Sequence, residues 1–152
     1  MERELAHESS ERMNIKTGRG GLVDVEFLTQ MLQLHYGPAL TQVRLRNTLT
    51  ALRAFAEIGV LPADDYAVLA EGYRFLRRVE NALRLAHDRP VEDLDRTRID
   101  LTAVARRMGV GGGADGGSGE VLWHEYEVRR EQIRACYGRW FDRAEAGALP
   151  VA

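Results

Sequence analysis

The sequence predicts an all-α domain, a helical bundle of five or six helices with no sheet. Three observations carry that expectation. Apolar residues recur at helical spacing through almost the whole chain. No stretch of four to eight residues combines clean alternation with β-branched enrichment. Glycine, proline and capping residues fall at the ends of the periodic segments, not inside them. At 152 residues the length fits one domain, expected over 1–146 with a frayed tail at 147–152. A chain this size buries roughly 70% of its unfolded surface, enough for a core without disulfides or metal.

Taken in order, residues 2–13 are polar and rich in Glu and Arg, and read as the end of a longer helix. Residues 14–21 form a glycine-rich loop. A helix follows over 22–36 and stops at Gly37-Pro38. Asn47 then reads as the N-cap of a helix ending at Gly59. Pro62 opens the longest helix, 62–87, where a first-turn proline loses no intrahelical hydrogen bond. Its apolar face is Val68, Leu69, Gly72, Tyr73, Phe75, Leu76, Val79 and Leu83. A loop around Pro90 leads to a short helix at 99–108. Residues 109–119 contain seven glycines and read as a flexible linker. The last helix, 120–145, places Leu122, Tyr126, Ile133, Tyr137 and Trp140 on one stripe, with Trp123 and Phe141 at its edge. That stripe reads as core.

Composition excludes several classes. A net charge of −2 with 45% hydrophobic residues rules out disorder and argues against nucleic acid as the partner. The single cysteine, Cys136, permits no internal disulfide or multi-cysteine zinc site and reads as a buried hydrophobe. The histidines at 7, 35, 87 and 124 lack ligand spacing, so no metal site is expected. No apolar run approaches the ~18 residues of a membrane span. The charged start, Met1-Glu2-Arg3-Glu4, has no signal-peptide core. A cytoplasmic protein is expected.

Residues 14–33 carry the most information. Glycines before a helix N-terminus let backbone amides approach an anion, and Lys16 and Arg19 add positive charge to the loop. Lys16, Gly18, Arg19, Gly20 and Gly21 are therefore candidates for a nucleotide, anion or interdomain contact. The alternative is a tight turn packed against the bundle; no P-loop lysine follows. On a wheel drawn from Leu22, Glu26, Thr29, Gln30 and Gln33 share a polar face, while Asp24 falls at about 200°, inside the apolar sector. A carboxylate there needs a partner. The expected partners are the amides of 18–21, Lys16 or Arg19. Asp24 and Glu26 complete the candidate set.

Elsewhere, Arg74, Arg77, Arg78 and Arg84 form a basic stripe on the longest helix, either a docking face for an acidic partner or a solvated surface. Glu80, at the edge of that helix's apolar face, is expected to pair with Arg77 or with an arginine of a neighbouring helix. Asp93-Leu94-Asp95 has the letters of a metal-binding pair but reads as a solvated loop. Asp64-Asp65 is a first-turn pair favoured by the helix dipole.

The run Asn14-Ile15-Lys16-x-Gly18-x-Gly20-Gly21-Leu22-Val23-Asp24-Val25-Glu26-Phe27-x-x-Gln30 resembles a signature of the bifunctional glutamine synthetase adenylyltransferase/adenylyl-removing family. More loosely, it resembles the PII uridylyltransferases. Leu32-Gln33-Leu34, Asn47-Thr48-Leu49-x-Ala51-Leu52, Gly59-Val60-Leu61, Tyr73-x-Phe75-Leu76-Arg77-x-x-Glu80-Asn81-x-Leu83 and Ala105-x-x-Met108-Gly109 match in the same order. The resemblance implies the helical domain that follows a nucleotidyltransferase domain. Gly20-Gly21-Leu22-Val23-Asp24-Val25-Glu26-Phe27 is closer to the C-terminal, adenylylating half.

In that family, AMP passes from ATP to a tyrosine of glutamine synthetase and is removed by phosphorolysis. ATP and Mg²⁺ are thus implied for the whole enzyme, with none held by this chain. The nucleotidyltransferase domain, glutamine synthetase and the PII signalling protein are the implied partners. The family's catalytic Gly-Ser and Asp-x-Asp element has no counterpart here, so no catalytic residue is expected and the chain alone should be inactive. The alternative is a free-standing, non-catalytic regulatory or protein-interaction bundle.

Overall fold

The structure, a computed structural model, describes residues 12–87, 92–95, 100–110 and 118–152. Five helices dominate it: α1 Leu22–Tyr36, α2 Thr48–Glu57, α3 Ala63–His87, α4 Asp100–Arg107 and α5 Ser118–Glu145. A 3₁₀ turn at Thr41–Val43 joins α1 to α2. The expected helices are present at close to the expected bounds. The N-terminal helix expected over 2–13 lies mostly outside the described residues, as do the Pro90 loop and the glycine run 111–117.

The bundle is all-α in class, as expected, with one departure, in which Arg12 and Met13 leave the expected helix for a strand. The fold is not free of sheet: β1 (Arg12–Asn14) pairs antiparallel with β2 (Asp93–Asp95), with Met13 opposite Leu94. Three residues are too short for alternation to be legible, and half of the pattern sits 81 positions away. Asp93-Leu94-Asp95 is therefore not a solvated loop. Leu94 is buried, and Asp93 accepts hydrogen bonds from Arg12 and from Asn14 Nδ2 at 3.2 Å.

The helix ends follow from local chemistry. The Asn47 side chain accepts from the Thr50 amide at 3.1 Å, satisfying one donor of the first turn of α2. The first amides of α1 have no side-chain cap. Leu22 and Val23 donate instead to the carbonyls of Ile15 and Lys16, at 3.0 and 2.9 Å.

One apolar cluster draws on every helix and on both strands. Helix α5 packs against α3, α4 and α1. It buries Leu122, Trp123, Tyr126, Ile133, Cys136 and Trp140, so most of the expected stripe is core, while Tyr137 and Phe141 are only partly buried. At Gly72 a β-carbon would stand 2.8 Å from Ile133 Cδ1, which shows how closely α3 and α5 approach. Asp65, the first-turn acid of α3, accepts from Arg139 at 2.9 Å and from Trp140 Nε1 at 3.0 Å. It therefore ties α3 to α5 in addition to facing its own helix dipole.

The tail does not simply fray. Gly147 turns the chain at φ +66°, Leu149 packs on the core, and the Tyr36 hydroxyl donates to the Pro150 carbonyl. Val151 and Ala152 are exposed.

Candidate functional site

The glycine loop is built inward. Lys16 and Thr17 amides donate to Asn14 Oδ1, the Gly18 amide to the Asn14 carbonyl, and the Gly21 amide to the Gly18 carbonyl. The Gly20 amide donates to Asp24 Oδ2 at 2.7 Å. These donors serve the turn itself, and Asp24 supplies the anion at the start of α1. Gly20 has φ +74°, and a β-carbon there would lie 2.1 Å from the Arg130 carbonyl oxygen. Only glycine lets the loop lie against α5 so closely.

Asp24 is 8% exposed, inside the apolar sector as the wheel places it. Its loop partner is one of those expected; its cation is not. Arg134 of α5 pairs with Asp24 at 3.2 Å, whereas Lys16 reaches Glu92 at 3.5 Å. Arg19 is exposed and contributes its carbonyl, which accepts from Arg130 Nε at 3.0 Å. Two arginines of α5 therefore hold the loop. Sequence spacing gives no hint of them, because they lie 110 and 111 residues further on.

The polar face of α1 is narrower than the wheel suggests. Thr29 is buried and donates back to the Val25 carbonyl at 2.8 Å, so its hydroxyl is satisfied within its own helix. Conversely, Phe27 and Leu34 are 53% and 80% exposed. With Met31, Tyr137, Phe141 and the tail they line an apolar groove of about 1010 Å³. That groove was not legible in advance, because it depends on where α5 and the tail end.

Glu26 points the other way. Its Oε1 accepts from the Tyr73 hydroxyl at 3.2 Å. Burial, with the Glu26 charge, raises the Tyr73 pKa above the ordinary phenol value. Tyr73 also lines a groove of about 400 Å³ together with Asn47, Thr48, Leu49, Arg74, Arg77 and Arg78. Arg77 pairs with Glu80 at 3.0 Å, as the spacing predicts, and Arg78 donates to the Met108 carbonyl at 2.8 Å. Arg74 and Arg84 are exposed. Glu26 of α1 thus meets Tyr73 of α3, which shares a groove with the start of α2.

Three of the aspartates are engaged within the fold. Asp93 is bound by Arg12 and Asn14, Asp24 by Gly20 and Arg134, and Asp65 by Arg139 and Trp140. Among the described residues, no group of three or more His, Cys, Asp or Glu side chains could hold a metal ion. No helix among them is long and apolar enough to cross a membrane.

A family model described as GlnD PII-uridylyltransferase matches residues 1–141. Several curated relatives carry the name bifunctional glutamine synthetase adenylyltransferase/adenylyl-removing enzyme. The protein of Ralstonia nicotianae is 43% identical over 96 residues, 63% of this chain and 10% of that protein. That of Leifsonia xyli is 36% identical over 137 residues, 89% of this chain and 13% of the relative. That of Hahella chejuensis is 30% identical over 141 residues, 93% of this chain and 14% of the relative. The chain thus spans about a seventh or less of the curated relatives it matches.

Proposed function

Since the chain belongs to the family described as GlnD PII-uridylyltransferase, matched over residues 1–141, we propose that it is the helical domain of a glutamine synthetase adenylyltransferase. In this reading it packs beside a nucleotidyltransferase domain, frames the cleft where AMP moves between ATP and a tyrosine of glutamine synthetase, and helps to dock that substrate. The adenylylating half is the better match, on Leu22-Val23-Asp24-Val25-Glu26. The ATP and Mg²⁺ of the reaction belong to the partner domain in this reading, since Asp24 and Asp93 are engaged by arginines and an amide. PII acts as the regulator of the whole enzyme.

The observation that carries this reading is the contact of Glu26 with Tyr73, which shares a groove with the start of α2, on a bundle whose signature loop is braced by α5. Asp24, Arg130 and Arg134 fix the loop's inner side, leaving Lys16, Thr17 and Arg19 exposed on its outer side. An interdomain or anion contact then falls to Lys16, Arg19 and Glu26, with Gly18, Gly20, Gly21 and Asp24 shaping the loop beneath them.

The test is complementation in trans. The chain, a separately produced nucleotidyltransferase domain from a relative, and glutamine synthetase are incubated with labelled ATP and Mg²⁺. The chain alone should transfer no label, and adding it should raise transfer by the other domain. Metal-dependent transfer by the chain alone would refute the reading, and so would no effect of the chain on its proposed partner.

A further inference from the structure

The exposed charge is unevenly spread. Arg74, Arg77, Arg78 and Arg84 stand on the solvent side of α3. From Arg74 to Arg84 the stripe runs about 15 Å, at roughly 1.5 Å per residue. Arg46 directly precedes Asn47, which lines the smaller groove, and Arg106 and Arg107 directly precede Met108, whose carbonyl holds Arg78. All three are exposed. Of the acids near this stripe, Glu80 is engaged by Arg77 and Glu26 by the Tyr73 hydroxyl, while Glu71, one turn before Arg74, is exposed and offsets part of the charge. A basic face therefore sits on a chain whose formal net charge is −2.

The groove adds a shape requirement. Its volume of about 400 Å³ accommodates one large side chain, with Leu49 and Tyr73 as the apolar part of its wall. Arg77 and Arg78 are held by Glu80 and Met108 at its rim, so part of their ordering cost is met before any partner arrives. The 15 Å between Arg74 and Arg84 matches four to five residues of extended chain, at roughly 3.3 Å each.

We propose that this face docks an extended acidic segment of a partner protein that carries one large apolar side chain. The apolar side chain enters the groove beside Leu49 and Tyr73, and flanking carboxylates pair with Arg74 and Arg84. Guanidinium forks match carboxylates in a bidentate manner. A line of such charges raises the encounter rate and selects acidic partners over neutral ones. A net negative chain would be repelled by the long polyanion of a nucleic acid beyond this one face, whereas a short acidic segment meets only the face. The proposal rests on the docking role given above, but the surface can be tested without the rest of the enzyme.

The experiment titrates the full chain into a fluorescein-labelled peptide, Glu-Asp-Glu-Glu-Leu-Glu-Glu-Asp-Glu, followed by anisotropy at low salt. Binding should weaken at least tenfold in Arg74→Glu/Arg84→Glu, and less in Arg74→Gln/Arg84→Gln. It should weaken several-fold in 0.5 M NaCl, or when the peptide leucine is replaced by serine. Arg143→Gln, at the far end of α5, should bind as the parent does. Unchanged melting curves show that the exposed arginines were removed without unfolding. No binding at low salt, or equal binding by the glutamate variant, overturns the proposal. Tighter binding of polyphosphate or single-stranded DNA than of the peptide also overturns it and assigns the face to phosphate. The same double variant in the intact enzyme separates the two readings. Lost peptide binding with undiminished AMP transfer would leave the acidic-segment surface standing and remove glutamine synthetase docking from it.

Discussion

Asp24 shows how one buried charge is tolerated. Its carboxylate is surrounded by apolar neighbours on α1, yet it accepts from the Gly20 amide and from Arg134. Asp24→Ala leaves the buried Gly20 amide without its acceptor and removes one partner of Arg134, so a loss of about 1–3 kcal/mol is expected, the cost of leaving a buried donor unpaired. Glu26→Ala removes one hydrogen bond from a half-exposed Tyr73, and about 1 kcal/mol or less is expected. Urea melts of the two variants check the order; equal losses would mean that the carboxylate of Asp24 does not bear on the loop. Cys136 gives a second residue-scale test. Burial pushes its thiol up to about 12, so iodoacetamide at pH 8 should label the folded chain far more slowly than the chain in denaturant. Because the folded value lies above the unfolded one, this burial favours folding below about pH 8.5. The contribution fades as pH rises towards 12.

At the scale of elements, periodicity and punctuation located the helices because each signal is local. Gly37 and Pro62 act through their own backbone chemistry and Asn47 through its side-chain cap, and those boundaries were readable. What was not readable shares one cause: it depends on residues remote in sequence. Thr29 reads as polar, but the packing of α1 buries it. The ribbon of Arg12–Asn14 with Asp93–Asp95 needs both halves at once. Of the candidate site, the buried position of Asp24 and the Arg77–Glu80 pair were legible; the α5 arginines that hold the loop were not. Gly20→Ala tests that brace. Its β-carbon meets the α5 backbone, and φ is +74°, so the loop must leave α5. A loss of more than about 2 kcal/mol is expected, with increased hydrogen exchange at residues 16–21 measured by mass spectrometry. A loss under about 0.5 kcal/mol would show that the loop has another way to seat.

At the scale of the molecule, the tail and the larger groove belong together. Leu149 and Pro150 fold back over a surface that includes the exposed Phe27 and Leu34. Truncation after Ala148 removes the acceptor of the Tyr36 hydroxyl and uncovers more apolar surface. The expected result is a Tm lower by several degrees, as about 1 kcal/mol gives in a domain of this size, with increased binding of an apolar dye. An unchanged Tm with unchanged dye fluorescence would show that the tail contributes nothing.

The short ribbon also bears on the time course of folding. Arg12 and Asp93 are 81 positions apart, whereas the turns of α1, α2 and α3 close within a few residues. Bringing such distant ends together forfeits chain entropy before any contact compensates for it. The ribbon should therefore form after the helices have met, on the native side of the rate-limiting barrier. Leu94, fully enclosed beneath it, is the probe. In stopped-flow mixing, Leu94→Ala should speed unfolding while leaving the refolding rate nearly unchanged, the signature of a contact absent from the transition state. A refolding rate that falls in proportion to the lost stability would instead make this two-strand clasp part of the nucleus. In the first case the clasp sets how long the assembled bundle persists before it opens.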